Sequence, residues 1–109
     1  MAAIATAIPL MTCRIAGTGH HCTADTRREL RDGLGVDLRR EADNDYDHDA
    51  IAVVTPEGRR LGYLPRARNE VIARLLDAGK SLTATIREWS RPDDDSPWLD
   101  ITVAIALAE

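Results

Sequence analysis

The sequence has no phenylalanine, a single lysine (Lys80), two cysteines and four aromatic residues, Tyr46, Tyr63, Trp89 and Trp98. Each scarcity excludes something. Without phenylalanine, the core of a 109-residue chain that is 44% hydrophobic must be built from Val, Ile, Leu and Ala, and every aromatic needs its own explanation. Two cysteines, Cys13 and Cys22, are too few for the disulfide framework of a small secreted domain. The stretch Met1 to Met11 is mildly apolar, lacks a basic start and is too short to span a bilayer, so neither a signal peptide nor a membrane helix is expected. A soluble, cytoplasmic protein is the expectation. Serine occurs three times (Ser81, Ser90, Ser96), and the chain contains no GxSxG, Walker A or HExxH motif. These absences speak against an enzyme.

What is present is acidic overall, with 18 Asp and Glu against 14 Lys and Arg and a formal charge of −4. A general polyanion binder is normally basic, so only a local basic patch is left for nucleic acid. The basic residues other than Lys80 are all arginine. That suits bidentate contact with phosphate, although a genome-wide codon bias gives the same skew.

The length allows one domain: a loose leader over residues 1–10 and a single folded unit over 11–109. Residues 11–16 alternate apolar and polar side chains, as a half-buried strand does, and Gly17-Thr18-Gly19 interrupts them. Thr26-Arg-Arg-Glu29 fits a capping box at the start of a short helix that Gly33 and Gly35 end. Strands are expected at 36–40, 50–55 and 60–64, the last two joined by the turn Thr55-Pro56-Glu57-Gly58. Residues 65–78 carry a helical period, with Val71, Ile72, Leu75 and Leu76 on one face and Arg66, Arg68, Asn69 and Arg74 off it. Two further strands follow: residues 81–89, with Leu82, Ala84 and Ile86 inward, and residues 99–107. The predicted order is β-α-β-β-β-α-β-β, a mainly β fold with two helices: a small six-stranded barrel of the OB or SH3-like kind.

Between the second and third strands lies Arg39-Arg-Glu-Ala-Asp-Asn-Asp-Tyr-Asp-His-Asp49, a loop of carboxylates and amides around one tyrosine. Alternating Asp43, Asp45, Asp47 and Asp49 look like the start of a calcium loop. The sixth position, however, is His48 rather than glycine, and the twelfth is Val54 rather than glutamate. Zinc would draw on Cys13, His20, His21 and Cys22, but three of these are consecutive and point apart in an extended chain, and no CxxC pair occurs. The residues thus imply no cofactor and no metal. Asn44 and Asp47 equally suit Asx turns that bond their own loop.

Arg40-Glu-Ala-Asp-Asn-Asp-Tyr-Asp-His-Asp-Ala-Ile-Ala-Val53, followed by Leu61-Gly-Tyr-Leu-Pro-Arg66, resembles the HIRAN domain, whose pattern runs R-E-x-x-N-P-Y-D-x-x-A-I-x-V and then G-Y-[IL]-P. The resemblance covers about residues 11–107. It implies an OB-like barrel that binds single-stranded DNA; in fork-remodelling ATPases this module captures a free 3′ end in DNA repair. Carried over by position, Tyr46 would stack on the terminal base, and Asp47 would accept a hydrogen bond from the 3′-hydroxyl. Asn44 would shape the pocket, Arg66 would contact phosphate, and Tyr63 would lie beside it. The sequence departs from the pattern in three places. Asp45 replaces the proline before the tyrosine. Gly17-Thr-Gly-His-His21 replaces an Arg-Tyr pair in the loop after the first strand, where His20 would stack instead. The late aromatic that stacks on an inner base falls to Trp89 or Trp98. The implied function is a DNA 3′-end-binding module that guides a separate helicase or nuclease; the alternative is a protein-interaction module of the same fold that has lost DNA binding.

Overall fold

The computed structural model describes residues 7–21, 23–90 and 99–108. The expectations for residues 1–6, for Cys22, for the loop at 91–97 and for Trp98 therefore lie outside the described residues. Among the described residues there are six strands: β1 (Ala7–Arg14), β2 (Gly35–Arg40), β3 (Ile51–Val54), β4 (Arg60–Tyr63), β5 (Leu82–Ser90) and β6 (Asp100–Ala108). The helices are α1 (Thr18–His21), α2 (Ala24–Glu29) and α3 (Glu70–Asp77). The strands form one antiparallel sheet in the order β1-β6-β5-β2-β3-β4.

Two residue pairs, Gly35–Thr85 and Val36–Ala84, join β2 to β5, and the sheet folds over at this narrow seam. The halves β1-β6-β5 and β2-β3-β4 enclose a core whose fully buried side chains include Ile51, Val53, Leu61, Ile72, Ile86, Ile101, Val103 and Ile105. Branched aliphatics fill the space that phenylalanine does not. All four residues of β3 are buried, as its unbroken apolar run requires; β6 alternates, with Ile101, Val103 and Ile105 inward.

Strand pairing does not run all the way round. Among the described residues, the chain just past β1 meets β4 at a single bridge, where the amides and carbonyls of Ala16 and Tyr63 exchange hydrogen bonds of 2.8 and 2.9 Å. Gly62, next in the chain, makes that approach feasible. A Cβ on it would lie 2.3 Å from the Ala16 carbonyl oxygen and 2.7 Å from Ile15 Cγ2, and its φ of +155° is one that L side chains rarely adopt.

The expected order of elements holds, with α1 as an addition. Two glycines before His20 hide this one-turn helix in the sequence. It is held by Thr18, whose buried hydroxyl donates to the Leu99 carbonyl (2.8 Å) and accepts from the Leu99 amide (3.0 Å). β1 begins at Ala7, four residues before the expected start. It pairs along β6 from Ala7–Ala108 to Arg14–Thr102, with an irregularity between Pro9 and Met11, where proline cannot give an amide to the ladder.

Three local readings are corrected. The cap of α2 is Thr23, whose hydroxyl accepts from the Thr26 amide; Thr26 is itself buried, one turn inside the helix. Glu29 does not close a capping box. It accepts from the Glu57 amide and from Arg59, both at 3.1 Å, and so ties α2 to the β3–β4 turn. Residues 65–68 form a separate turn closed by Arg68 N–H to Pro65 O, so α3 is shorter than the period suggests. Its buried face is Asn69, Ile72, Ala73 and half-buried Leu76, at i, i+3, i+4, i+7 spacing, while Val71 is 58% exposed. The apolar period placed Val71 inward and Asn69 outward, which is the reverse of what packing selects.

Replacing Gly62 by Ala is expected to destabilise the fold by about 2–5 kcal/mol, because added volume against backbone and an unfavourable φ act together. Gly35→Ala, with nothing within 4 Å of its added Cβ, should stay within ~0.5 kcal/mol. Urea denaturation of the two variants checks the contrast.

Candidate nucleic-acid interface

The loop between β2 and β3 is a series of tight turns held by its own polar groups. Glu41 N–H bonds Ala50 O, Asn44 N–H bonds Glu41 O, and Ala50 N–H bonds Asp47 O. The Asn44 side chain accepts from the amides of Tyr46 (2.8 Å) and Asp47 (3.1 Å), an Asx turn that sets the direction of the next two residues. Asp47 Oδ1 accepts from the Asp49 amide at 2.9 Å, and its Oδ2 accepts from Asn69 Nδ2 at 2.8 Å.

This loop, β4 and the turn before α3 enclose a groove of about 430 Å³. Asn44, Tyr46, Asp47, Tyr63 and Arg66 all line it, over an apolar floor of Ala16, Ala50 and Leu64. Five of the six residues singled out from the sequence are therefore brought together, although Asn44 spends its side chain on loop geometry. Tyr46 stands out into solvent at 88% exposure. The sixth, His20, lines a neighbouring hollow with Arg14 and Thr18. The histidine beside the groove is His21, its ring centroid 6.0 Å from that of Tyr63. Trp89 is half-buried against the core and borders another hollow with Arg27 and Arg28.

Charge is distributed unevenly around the groove. Glu41 is a hub: it accepts from Tyr63 Oη (2.9 Å), Arg60 (3.0 Å) and Asn44 Nδ2 (3.1 Å). Asp49 is paired with Arg74 and lies 3.9 Å from Arg40, which also chelates Asp77. Arg66, by contrast, is exposed and makes no hydrogen bond or ion pair among the described residues. The loop's acids are thus partly neutralised from within, while Arg66 in the groove is not paired with any described residue.

Environment tunes three of these groups. The Asp49 amide, opposed by partial burial and helped by Asn69, Arg66 and Arg40, holds the Asp47 carboxyl below the ordinary carboxylate range. Burial, followed by the bond to Glu41 and its charge, pushes the Tyr63 phenol up. Burial and the neighbouring Arg60 and His20 pull His21 down, so it offers a neutral ring near pH 7. Among the described residues no three His, Cys, Asp or Glu side chains converge on a point that could hold a metal ion.

Sequence reasoning missed the parts played by Glu41, His21 and Asn69. Glu41 stood in the motif without a role. The helical period places Asn69 on the polar face of a longer helix, yet it stands at the start of α3, makes no side-chain capping bond and is 2% exposed.

The HIRAN domain model matches residues 10–108. The chain belongs to the HIRAN domain family. Members of this family are generally DNA-binding modules rather than catalytic domains. A crystal structure of a protein from Lactobacillus plantarum, a structural genomics target, superposes with a TM-score of 0.75 at 30% identity, covering 94% of this chain and 98% of that one. The crystal structure of the HIRAN domain of human HLTF superposes with a TM-score of 0.72 at 14% identity, covering 94% and 78%, a likeness of fold. No curated protein matches the chain. The fold expected from the sequence, a mainly β OB-like barrel, is the fold of these HIRAN neighbours, although here the sheet is not closed among the described residues. No described helix is long and apolar enough to cross a membrane.

Two titrations test the electrostatics of this HIRAN groove. In a Tyr46→Phe background, where Tyr63 is the remaining tyrosine, tyrosinate absorbance should rise only above the ordinary value near 10, and Glu41→Gln should lower that midpoint. Carboxyl carbon shifts should show Asp47 titrating below about 3.9. Its folded pKa is depressed, so its contribution to stability is complete above the unfolded value and is lost as pH falls through the folded one.

Proposed function

We propose that this HIRAN module binds single-stranded DNA at a free 3′-hydroxyl end and presents it to a separate DNA-processing enzyme, a helicase or nuclease. The observation that carries the reading is the pairing of a tyrosine exposed at 88% with a half-buried, ionised aspartate in one groove. An aromatic face held in water is poised to stack, and stacking accepts any base at about 1–3 kcal/mol each. A carboxylate only accepts hydrogen bonds. It suits a terminal hydroxyl, whereas an interior 3′ oxygen is esterified, has no proton to give and brings a phosphate charge with it. Arg66 supplies the cation for the phosphate on the 5′ side, Tyr63 and the neutral ring of His21 extend the stacking wall, and Asn44 aims the loop.

One observation favours a second reading, a protein-interaction module of the same fold. Asp45 is exposed beside Tyr46 on a chain of net charge −4, which weakens attraction for a polyanion.

Anisotropy of labelled oligonucleotides decides between them. A strand ending in a 3′-hydroxyl should bind more tightly than the same strand ending in a 3′-phosphate, and equal binding would remove the end-reading mechanism. Tyr46→Ala should cost roughly 1–3 kcal/mol on every sequence. Arg66→Ala should weaken binding to all ends and reduce the salt slope by about one. Absence of binding even at low salt points to the protein-interaction reading.

A further inference from the structure

We propose that Asn69 is a positioning residue: from the start of α3 it holds the Asp47 carboxylate as a fixed, ionised acceptor and so sets how well the groove reads a 3′-hydroxyl. The inference rests on the end-binding reading above and adds to it a residue outside the groove.

Asn69 is among the most buried polar residues in the described structure, at 2% exposure. Asparagine at this place ordinarily turns back to cap its own helix. Asn69 does not: its backbone carbonyl accepts the first α3 bond, from Ala73, while its side chain makes no capping bond. The amide is turned instead across 22 residues of sequence to Asp47 Oδ2 at 2.8 Å. Asp47 Oδ1 is held by the Asp49 amide. Two donors from different elements therefore fix the plane of the carboxylate, and each oxygen keeps a free lone pair.

Other charged groups act on Asp47 from around it. Arg66 on the preceding turn and Arg40 on β2 both favour its ionised form. On α3 itself, Arg74 and Asp77 are engaged with Asp49 and Arg40. Removing the Asn69 donor leaves both arginines in place, so Asp47 should stay a carboxylate at neutral pH but lose its fixed orientation, and its pKa should rise.

The test uses the whole chain and two probes that differ by one atom: an oligonucleotide with a 3′-hydroxyl and one with a 2′,3′-dideoxy end. Neither end titrates in the working range. The wild-type protein should prefer the hydroxyl about tenfold or more, evenly from pH 5 to 7.5. Asn69→Ala and the isosteric Asn69→Asp should reduce that preference to about threefold or less while leaving affinity for the dideoxy strand nearly unchanged. The Asp47 carboxyl shift should titrate at higher pH in both, and further upward in Asn69→Asp, where two carboxylates face each other. A purely structural role would weaken both strands together and leave their ratio intact. If the wild type itself shows no preference, the end-binding reading fails. If the wild type discriminates and the variants retain the full ratio and an unshifted Asp47, the assignment of Asn69 is overturned and the reading stands. Should the variants not fold, the wild type decides: the side-chain amide protons of Asn69 must move with the same midpoint as the Asp47 carboxyl, and an amide that does not move overturns the assignment.

Discussion

The contact on which the rest depends is the approach of Gly62 to the Ala16 carbonyl, where an added Cβ would sit at 2.3 Å. That approach lets Tyr63 bridge Ala16 and draws the last strand of one half-sheet to the first strand of the other. The groove is built on this junction. Ala16 and Leu64 floor it, Tyr63 forms one wall, and α1, anchored by Thr18 to Leu99, sets His21 against that wall. A Cβ at 62 would press directly on this junction and so on the spacing of the two walls. Stability and site geometry thus share one backbone contact. The G-Y-L-P motif carries this meaning: the glycine serves closure, the tyrosine serves the groove, and the proline starts the turn that presents Arg66.

The acidic loop shows how a chain of net negative charge divides its carboxylates between scaffold and groove. Its carboxylates are not equivalent. Glu41 and Asp49 are engaged by arginines of the same domain, so they organise Tyr63, Arg60, Arg74 and Arg40 rather than face a ligand. Asp47 is fixed by two N–H donors and makes no ion pair within 4 Å among the described residues, which leaves its charge and lone pairs turned to the groove. The same residue types that suggested a metal loop therefore divide into scaffold and acceptor. The division follows which side chain lies within reach of an arginine or an amide.

The sequence made the strands legible because each buries one face or both, and period-two alternation records that directly: β6, β5 and β2 lie where their patterns placed them. The loop and its tyrosine were legible through the motif. What was not legible depends on partners distant in sequence. Thr18 reads as part of a glycine-rich break until Leu99 is beside it. Glu29 reads as a cap until the β3–β4 turn arrives with two donors. Asn69 and Val71 were exchanged because hydropathy ranks valine as the buried one, whereas α3 packs so as to deliver an amide to Asp47. His20 and His21 are adjacent in the chain, and only the closure of the barrel decides which of them meets Tyr63.

The central claim is that this groove, and no other face, receives the end of a single strand. Amide and side-chain chemical shifts of the labelled protein, followed on addition of a short unlabelled oligonucleotide with a 3′-hydroxyl, test it most directly. The account predicts the largest changes at Asn44, Tyr46, Asp47, Tyr63 and Arg66, with His21 following. Changes centred on the outer face of β1, β6 and β5, or none at saturating oligonucleotide, would contradict it.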